Sequence, residues 1–201
     1  MENKDYTKMK TPLQYQITEY DCGQATVLNA IRYLFNRGEI PPIIIKYITQ
    51  YTLDTIGENG QIGMCGTSPY AMDYLSNWIN KSEFLSRLGL HATVLYKSEV
   101  DINNEKLNYY MDLGGVAIFR VWSECEHYVL CTGIDKENVY IFDPYYLDDY
   151  DYDDDKDCIV VPNKPFKYNR IVRKKRFNSN TKEDFSFVKD DERRILILYR
   201  K

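Results

Sequence analysis

Residues 16–35 read QITEYDCGQATVLNAIRYLF and contain the clearest helical pattern in the chain. Apolar residues recur at the three- and four-residue spacing of one helical face: Val27, Leu28, Ile31, Leu34 and Phe35. This spacing predicts an amphipathic helix that buries that face. Asp21 is a suitable N-cap, and Asn36 and Gly38 end the pattern. The helix is therefore predicted to begin at Cys22, with that thiol in its first turn.

Three more helices are predicted in the first half of the chain. One begins after Pro42, and a second begins at Pro69 with Ser68 as its N-cap. Their buried positions are expected to be Ile44, Ile45, Ile48 and Leu53 in one helix, and Met72, Leu75 and Ile79 in the other. A short helix over residues 82–88 follows and ends at Gly89.

From His91 onward the chain is rich in apolar runs of strand length. They cover residues 92–96, 115–122, 127–134, 138–143, 158–161 and 194–199. The third and fourth runs are separated by three residues, which predicts a β-hairpin. Helices followed by strands indicate an α+β fold with N-terminal helices packed on an antiparallel sheet. A single domain over 1–201 is expected, with a helical half at about 12–90 and a β-sheet half at about 91–201.

Composition excludes several classes of protein. The 201 residues are 44% hydrophobic and carry a net charge of -4, so neither a disordered chain nor a nonspecific nucleic-acid binder is expected. No apolar run suits a membrane helix or a signal peptide, which predicts a soluble, cytoplasmic protein. Five cysteines without a CxxC pair argue against a disulfide framework and a zinc ribbon. No metal or other cofactor is predicted, and the oligomeric state stays open.

The residues with catalytic potential are few, because the chain has only two histidines. His127 opens one strand of the predicted hairpin and Asp143 closes the other, so both should lie at the same end of adjacent strands. A carboxylate there can fix the tautomer of the imidazole. Cys22 at a helix N-terminus is placed for a stabilised thiolate, which an adjacent imidazole activates. Gln16 carries an NH2 group that can complete an oxyanion hole with backbone N–H groups.

Three segments together resemble the C39 family of papain-like cysteine peptidases: residues 16–23 (QITEYDCG), 127–130 (HYVL) and 142–144 (FDP). The resemblance implies a papain-like fold with Cys22 as nucleophile, His127 as general base and acid, Asp143 orienting His127, and Gln16 in the oxyanion hole. The best-known C39 domains cut a leader peptide after a Gly-Gly pair and are fused to a membrane transporter. No transporter segment is recognised here, so a stand-alone protein is expected. The tail from about Asp148 has no counterpart recognised in that family.

The resulting hypothesis is a thiol peptidase that hydrolyses a peptide or amide bond. Two alternatives remain open: a peptide-binding module that does not cut, and an acyltransferase that passes the same thioester to an amine. Substrate is expected to contact the glycine-rich residues 57–66, including Gly63 and Gly66, and the aromatic side chains of Trp122 and Tyr145. The resemblance further implies a narrow cleft that accepts small residues such as Gly beside the scissile bond.

Other conspicuous residues receive structural interpretations. Cys65, Cys125, Cys131 and Cys158 are interpreted as non-catalytic, His91 as structural and Trp78 as core. The acidic run 148–157 lacks an EF-hand pattern and is interpreted as a solvated loop. The basic run 167–176 has the opposite charge and is expected to lie against it. Gly114 and Gly115 precede an apolar strand and predict a turn.

Overall fold

The computed structural model describes residues 6–146, 155–188 and 191–201. The α-helices are α1 Cys22–Leu34, α2 Pro42–Tyr51, α3 Pro69–Lys81, α4 Glu83–Arg87, α5 Glu105–Asp112 and α6 Lys174–Phe177. The strands are β1 Leu90–Tyr96, β2 Val116–Ser123, β3 Cys125–Ile134, β4 Asn138–Phe142, β5 Cys158–Val160, β6 Arg170–Arg173 and β7 Arg194–Arg200.

All the strands in the described residues form one antiparallel sheet in the order β1-β7-β2-β3-β4-β6-β5. Strand β7, the last strand in the sequence, is inserted between β1 and β2, so these two strands are not neighbours in the sheet. The predicted α+β class, with N-terminal helices packed on an antiparallel sheet, is confirmed.

The sheet separates two apolar cores. The helix-side core contains apolar residues of α1 to α4 and every second residue of the central strands, such as Ile118 and its β3 partner Leu130. The outer core lies on the opposite face and contains the intervening pair Phe119 and Val129. It is covered by α5, α6 and residues 185–188. This arrangement explains why the central strands are apolar on both faces.

The predicted helices are present, with local differences. Asp21 occupies the N-cap position of α1, but its carboxylate accepts from the Thr18 N–H (3.2 Å) rather than from the helix. Leu53 lies beyond the end of α2, because the helix ends at Tyr51. Trp78 is half-buried, and its ring stacks on Tyr47.

In the second half, α5, α6 and β6 were not predicted. Strand β3 begins at Cys125 rather than at His127, so the histidine is the third residue of its strand. The hairpin of β3 and β4 is confirmed, and the Asp135 carboxylate accepts the Glu137 and Asn138 N–H groups in its loop. Gly114 has φ 82° and turns the chain into β2, as predicted.

The expected contact between the acidic and basic runs is present for its described part. Asp155 lies 2.7 Å from Arg176, and Asp157 lies 2.7 Å from Lys175. The rest of the acidic run, residues 148–154, lies outside the described residues. These ion pairs attach the segment around β5 to α6.

Within the described residues, no helix has the length and apolar character needed to cross a membrane.

Candidate active site

The hairpin places His127 and Asp143 together. Leu130 pairs with Phe142, so the register continues with Asp143 opposite Val129, which is two residues from His127 on the same face of β3. His127 Nε2 lies 2.8 Å from Asp143 Oδ1, and both side chains are buried. The predicted meeting of these two residues at one end of the hairpin is therefore observed.

Asp143 is itself held by its neighbours. Its Oδ1 also accepts the Tyr145 N–H at 2.9 Å. Its backbone N–H donates to Asn169 Oδ1 and its carbonyl accepts from Asn169 Nδ2, both at 2.8 Å. Asn169 is buried beside β6 and was missed by the sequence analysis. A polar residue within a basic run gave no signal of this role, because the contact depends on β6 pairing with β4.

Cys22, at the N-terminus of α1, acts on the same imidazole. Burial disfavours the charged ring, but the charge and hydrogen bond of Asp143, and then the hydrogen-bonding contact with the Cys22 side chain, outweigh it and raise the pKa of His127 to about 10. With Nε2 occupied by Asp143, the other ring nitrogen is left for the thiol. The structure thus places the His127 ring against the Asp143 carboxylate, with the Cys22 side chain among the groups that act on the same ring.

A close approach between two segments shapes the wall beside Cys22. A Cβ atom on Gly23 would lie 2.3 Å from Thr67 Oγ1, so only glycine fits here. Thr67 is held in turn by the carbonyl of Thr52 (2.5 Å). Gly23, the glycine of the Asp-Cys-Gly triplet, therefore allows the loop before α3 to pack on the first turn of α1.

The cleft beside Cys22 has a volume of about 490 Å³. It lies between the start of α1, residues 64–67 and β2–β3, and it is lined by Glu19, Tyr20, Cys22, Met64, Cys65, Gly66, Thr67, Arg120, Cys125, Glu126 and Tyr128. Gly66, at φ 76°, is therefore part of the wall. Gly63 is not among the lining residues and faces Leu53 instead.

The floor of the cleft is polar, which the sequence analysis did not anticipate. Arg120 is buried and forms an ion pair with the carboxylate of Glu126. The Tyr128 hydroxyl is buried beside them and has no hydrogen-bond partner among the described residues. Burial raises the pKa of Tyr128, so its hydroxyl stays protonated. Alternation along β2 and β3 turns these side chains to the helix side of the sheet.

Gln16 reaches the site through its backbone. Its N–H donates to the Pro144 carbonyl at 2.8 Å, which places the chain before α1 next to the Asp143 segment. The side-chain NH2 donates to the Thr18 carbonyl at 2.8 Å, and Gln16 is not among the residues that line the cleft. Its oxyanion-hole role stays a prediction, and it requires the amide to leave Thr18.

The two aromatic side chains predicted to flank the site occupy different places. The Tyr145 ring lies 6.4 Å from the His127 ring, edge to face, and the charge of Glu19 raises the pKa of its hydroxyl. Trp122 lines a separate depression of about 290 Å³, where Lys182 Nζ lies 4.2 Å from its ring. Glu126 lines both hollows.

Other candidate chemistry is limited. Among the described residues, no group of three or more His, Cys, Asp and Glu side chains is arranged to hold a metal ion. Cys131 and Cys158 are buried, and burial raises the pKa of each thiol to about 12. His91 stacks on Tyr199 at 5.6 Å, away from the cleft residues.

No protein-family model and no curated protein matches the chain. Solved structures do match it. A double glycine motif protease from an AMS/PCAT transporter, in complex with the leader peptide, is 15% identical with a TM-score of 0.47, covering 98% of this chain and 96% of that chain. The peptidase domain of Streptococcus mutans ComA is 16% identical with a TM-score of 0.43, covering 95% and 99%.

A third similar structure is the peptidase domain of Streptococcus ComA, a bi-functional ABC transporter involved in a quorum sensing pathway. It is 18% identical with a TM-score of 0.44, and the match covers 94% of this chain and 98% of that chain. All three of these matched structures are protease or peptidase domains, and each match covers at least 94% of both chains.

Proposed function

We propose that this protein is a cysteine peptidase that hydrolyses a peptide or amide bond with Cys22, His127 and Asp143. The single observation that carries the proposal is the His127 ring: its Nε2 lies 2.8 Å from the Asp143 carboxylate, and its pKa is raised by Asp143 and then by the Cys22 side chain. An imidazole held between a thiol and a carboxylate is the arrangement that activates a sulfur nucleophile. The raised pKa of His127 supports a protonated ring opposite the thiolate.

In the first half-reaction the Cys22 thiolate attacks the carbonyl carbon, a C–S bond forms, and the carbonyl electrons move to oxygen. The Cys22 backbone N–H, which is unpaired in the first turn of α1, and the Gln16 NH2 hold that oxyanion. The imidazolium of His127 gives its proton to the leaving nitrogen as the C–N bond breaks. A thioester remains on Cys22.

In the second half-reaction His127 takes a proton from water, and the resulting oxygen nucleophile attacks the thioester. Breaking the C–S bond returns the thiolate and releases the acid. Asp143 keeps Nε2 occupied throughout, so that the other ring nitrogen faces the sulfur. No metal or organic cofactor takes part in either half-reaction.

The proposed substrate is a peptide that crosses the cleft between α1 and β3. Gly66 lines the cleft beside Cys22, and the Tyr145 ring lies against His127. Gly63 and Trp122 lie outside this cleft, because Gly63 faces Leu53 and Trp122 lines the separate depression. The resemblance to C39 domains favours a small residue such as Gly beside the scissile bond. The polar floor formed by Arg120 and Tyr128 offers hydrogen bonds to substrate carbonyl groups that pass over it.

Alkylation and peptide digestion of the purified protein test the proposal together. Iodoacetamide at neutral pH should modify Cys22 fastest of all the cysteines, and His127→Ala should abolish that preference. Cys22→Ala should stop cleavage of a peptide library, and His127→Ala should lower the rate about 10²–10⁴-fold. His91→Ala is the matched control and should keep both properties.

The outcomes separate the possible functions. No cleavage and no preferential alkylation of Cys22 would refute the proposal. Preferential alkylation without hydrolysis, together with amide formation when an amine acceptor is added, would identify an acyltransferase. Cleavage only beside bulky residues would refute the small-residue specificity while leaving the peptidase chemistry in place.

A further inference from the structure

Three of the five cysteines line one cleft. Cys22, Cys65 and Cys125 all contribute to its wall, whereas Cys131 and Cys158 are buried elsewhere in the structure. Cys22 is buried, and Cys65 and Cys125 are exposed. Peptide hydrolysis uses only one of these thiols. The concentration of cysteine in this cleft therefore needs a separate explanation.

We propose that Cys125 is a resolving cysteine, which forms a reversible disulfide with Cys22 after a peroxide has oxidised Cys22. The inference rests on the reactive thiol of the proposed function, but it does not require peptidase activity. It assigns an oxidative modification site to the cleft.

Cys22 is the thiol that a peroxide should oxidise first. Peroxides react with thiolates, and a thiolate is stabilised by a helix N-terminus and by an adjacent imidazolium. Cys22 has both, because it is the first residue of α1 and its side chain interacts electrostatically with the His127 ring. Cys131 and Cys158 have neither exposure nor a thiolate, since burial raises both pKa values to about 12.

Cys125 is the better placed of the two remaining thiols to react with Cys22. It lies two residues from His127 on the same face of β3 and lines the cleft beside Cys22. Partial burial raises the pKa of its thiol, and the charges of His127 and Cys22 act on that thiol in opposite directions. Cys125 also begins its strand directly after Glu124, a single connecting residue at φ 55° between β2 and β3. The end of a hairpin adjusts more readily than its middle, which lets the two sulfurs meet.

The chemistry balances with one peroxide. The Cys22 sulfur attacks a peroxide oxygen, the O–O bond breaks, and Cys22 becomes a sulfenic acid as the first water forms with the thiol proton. The Cys125 sulfur then attacks the Cys22 sulfur, the S–O bond breaks, and the departing hydroxide takes the Cys125 proton as a second water. Two thiols lose two electrons in total, and the peroxide is reduced to water.

The disulfide would block the nucleophile and protect it. A sulfenic acid that finds no thiol is oxidised further to a sulfinic acid, which thiol reductants do not reverse. A disulfide with Cys125 stops at the reversible stage. The modified enzyme should therefore regain its reactive thiol when a dithiol reductant is added.

The experiment treats the reduced, full-length protein with a small excess of hydrogen peroxide. The sample is then blocked with N-ethylmaleimide, digested without reductant and analysed by mass spectrometry. A peptide pair joined through Cys22 and Cys125 is expected, and it should separate on reduction. Cys125→Ser should remove this pair and leave Cys22 as a sulfenic acid that dimedone traps.

The matched control is Cys65→Ser, a substitution at the other exposed thiol of the same cleft, which should still form the Cys22–Cys125 pair. Recovery of iodoacetamide-reactive Cys22 after dithiothreitol should be nearly complete in the wild type and at least about tenfold lower in Cys125→Ser after a long exposure. A Cys22–Cys65 pair, or full recovery without Cys125, would refute the assignment.

The test separates this inference from the proposed function. If Cys22 is not the fastest thiol to alkylate in the reduced protein, the reactive-thiol assignment itself has failed. If Cys22 is reactive and cleaves peptide but forms no disulfide with Cys125, only the resolving role of Cys125 is overturned.

Discussion

His127 keeps its proton because its neighbours outweigh the cost of burying a charge. The Asp143 carboxylate and the Cys22 side chain favour the imidazolium, and they raise its pKa from 6.5 to about 10. A group whose pKa is raised on folding stabilises the folded state at every pH below its unfolded pKa. That contribution is then lost as the pH rises from about 6.5 through about 10.

Asp143→Asn should remove most of this pH dependence. Asparagine keeps the shape of the side chain but has no charge, so the pKa of His127 should fall toward its ordinary value. Urea unfolding at pH 6, 8 and 10 measures the effect. Between pH 6.5 and 10 the wild type should lose more stability than the variant, by more than about 1 kcal/mol.

The pH dependence of alkylation gives an independent readout. In the wild type, the imidazolium of His127 should keep the alkylation of Cys22 by iodoacetamide fast at neutral and mildly alkaline pH. In Asp143→Asn the alkylation rate in this range should fall, because His127 loses its proton at a lower pH. Identical profiles for stability and alkylation in both proteins would contradict the role given to Asp143.

Residue types and their order predicted Cys22, His127 and Asp143, since the helix start and the hairpin place them by local geometry. The residues that complete the site could not be predicted in this way. Asn169 reaches Asp143 only after β6 pairs with β4, and Arg120 enters the cleft only through the pairing of β2 with β3. The position of the Gln16 side chain likewise depends on a loop contact with Thr18.

At the scale of elements, the predictions succeeded where a cap or a turn marks the boundary. Ser68 caps α3 and accepts the Ala71 N–H, and Asn104 caps α5 in the same manner. Helix α5 was nevertheless not predicted from the sequence, because it is largely polar and Leu107 is its one buried residue. Strand β6 is only four residues long and has an arginine at each end, so its sequence gives no clear strand pattern. Its pairing between β4 and β5 identifies it as a strand.

The packing of residues 64–67 on α1 predicts the effect of a single methyl group. In Gly23→Ala the new Cβ would meet the Thr67 side chain at three atoms between 2.3 and 3.0 Å away. Overpacking of this kind costs about 1–3 kcal/mol. The midpoint of urea unfolding should therefore fall, and the alkylation rate of Cys22 should change, because the cleft wall must move away from the helix.

A double variant isolates the contact. All three close atoms belong to the side chain of Thr67, so Thr67→Gly removes every one of them. In the Thr67→Gly protein, Gly23→Ala should lower the free energy of unfolding much less than it does in the wild type. A double-mutant cycle measures this difference directly. An equal loss of unfolding free energy in the wild type and in Thr67→Gly would show that Gly23 is required for another reason.

At the scale of the whole molecule, β7 pairs with two strands that lie far from it in the sequence. It lies between β1 and β2, and its residues alternate between the two cores. Leu196 and Leu198 belong to the helix-side core, whereas Ile195 and Ile197 belong to the outer core. The sequence identified this strand by its apolar run, but its central position follows only from the pairing of distant strands.

Because β7 contributes to both cores, the protein should unfold as one domain. Leu198→Ala and Ile197→Ala truncate buried side chains on opposite faces of the sheet. Each substitution should lower the free energy of unfolding by about 2–5 kcal/mol. The two tryptophans report on different regions: Trp78 stacks on Tyr47 in the helical layer, and Trp122 lies near the far end of β2. Single-tryptophan proteins made with Trp78→Phe or Trp122→Phe therefore follow each region separately during urea unfolding.

Each core substitution should shift both fluorescence transitions by the same amount. When either core unfolds, β7 leaves the sheet, and the other core then loses the residues that β7 contributes to it. Coincident transitions are the mark of a cooperative two-state domain. If Leu198→Ala moved only the Trp78 transition and Ile197→Ala only the Trp122 transition, the two faces of the sheet would be independent units. The cleft would then sit between two units that separate, and the Cys22–His127 contact, which links α1 to β3, should break at the lower midpoint. Loss of preferential Cys22 alkylation at that midpoint would measure the separation directly.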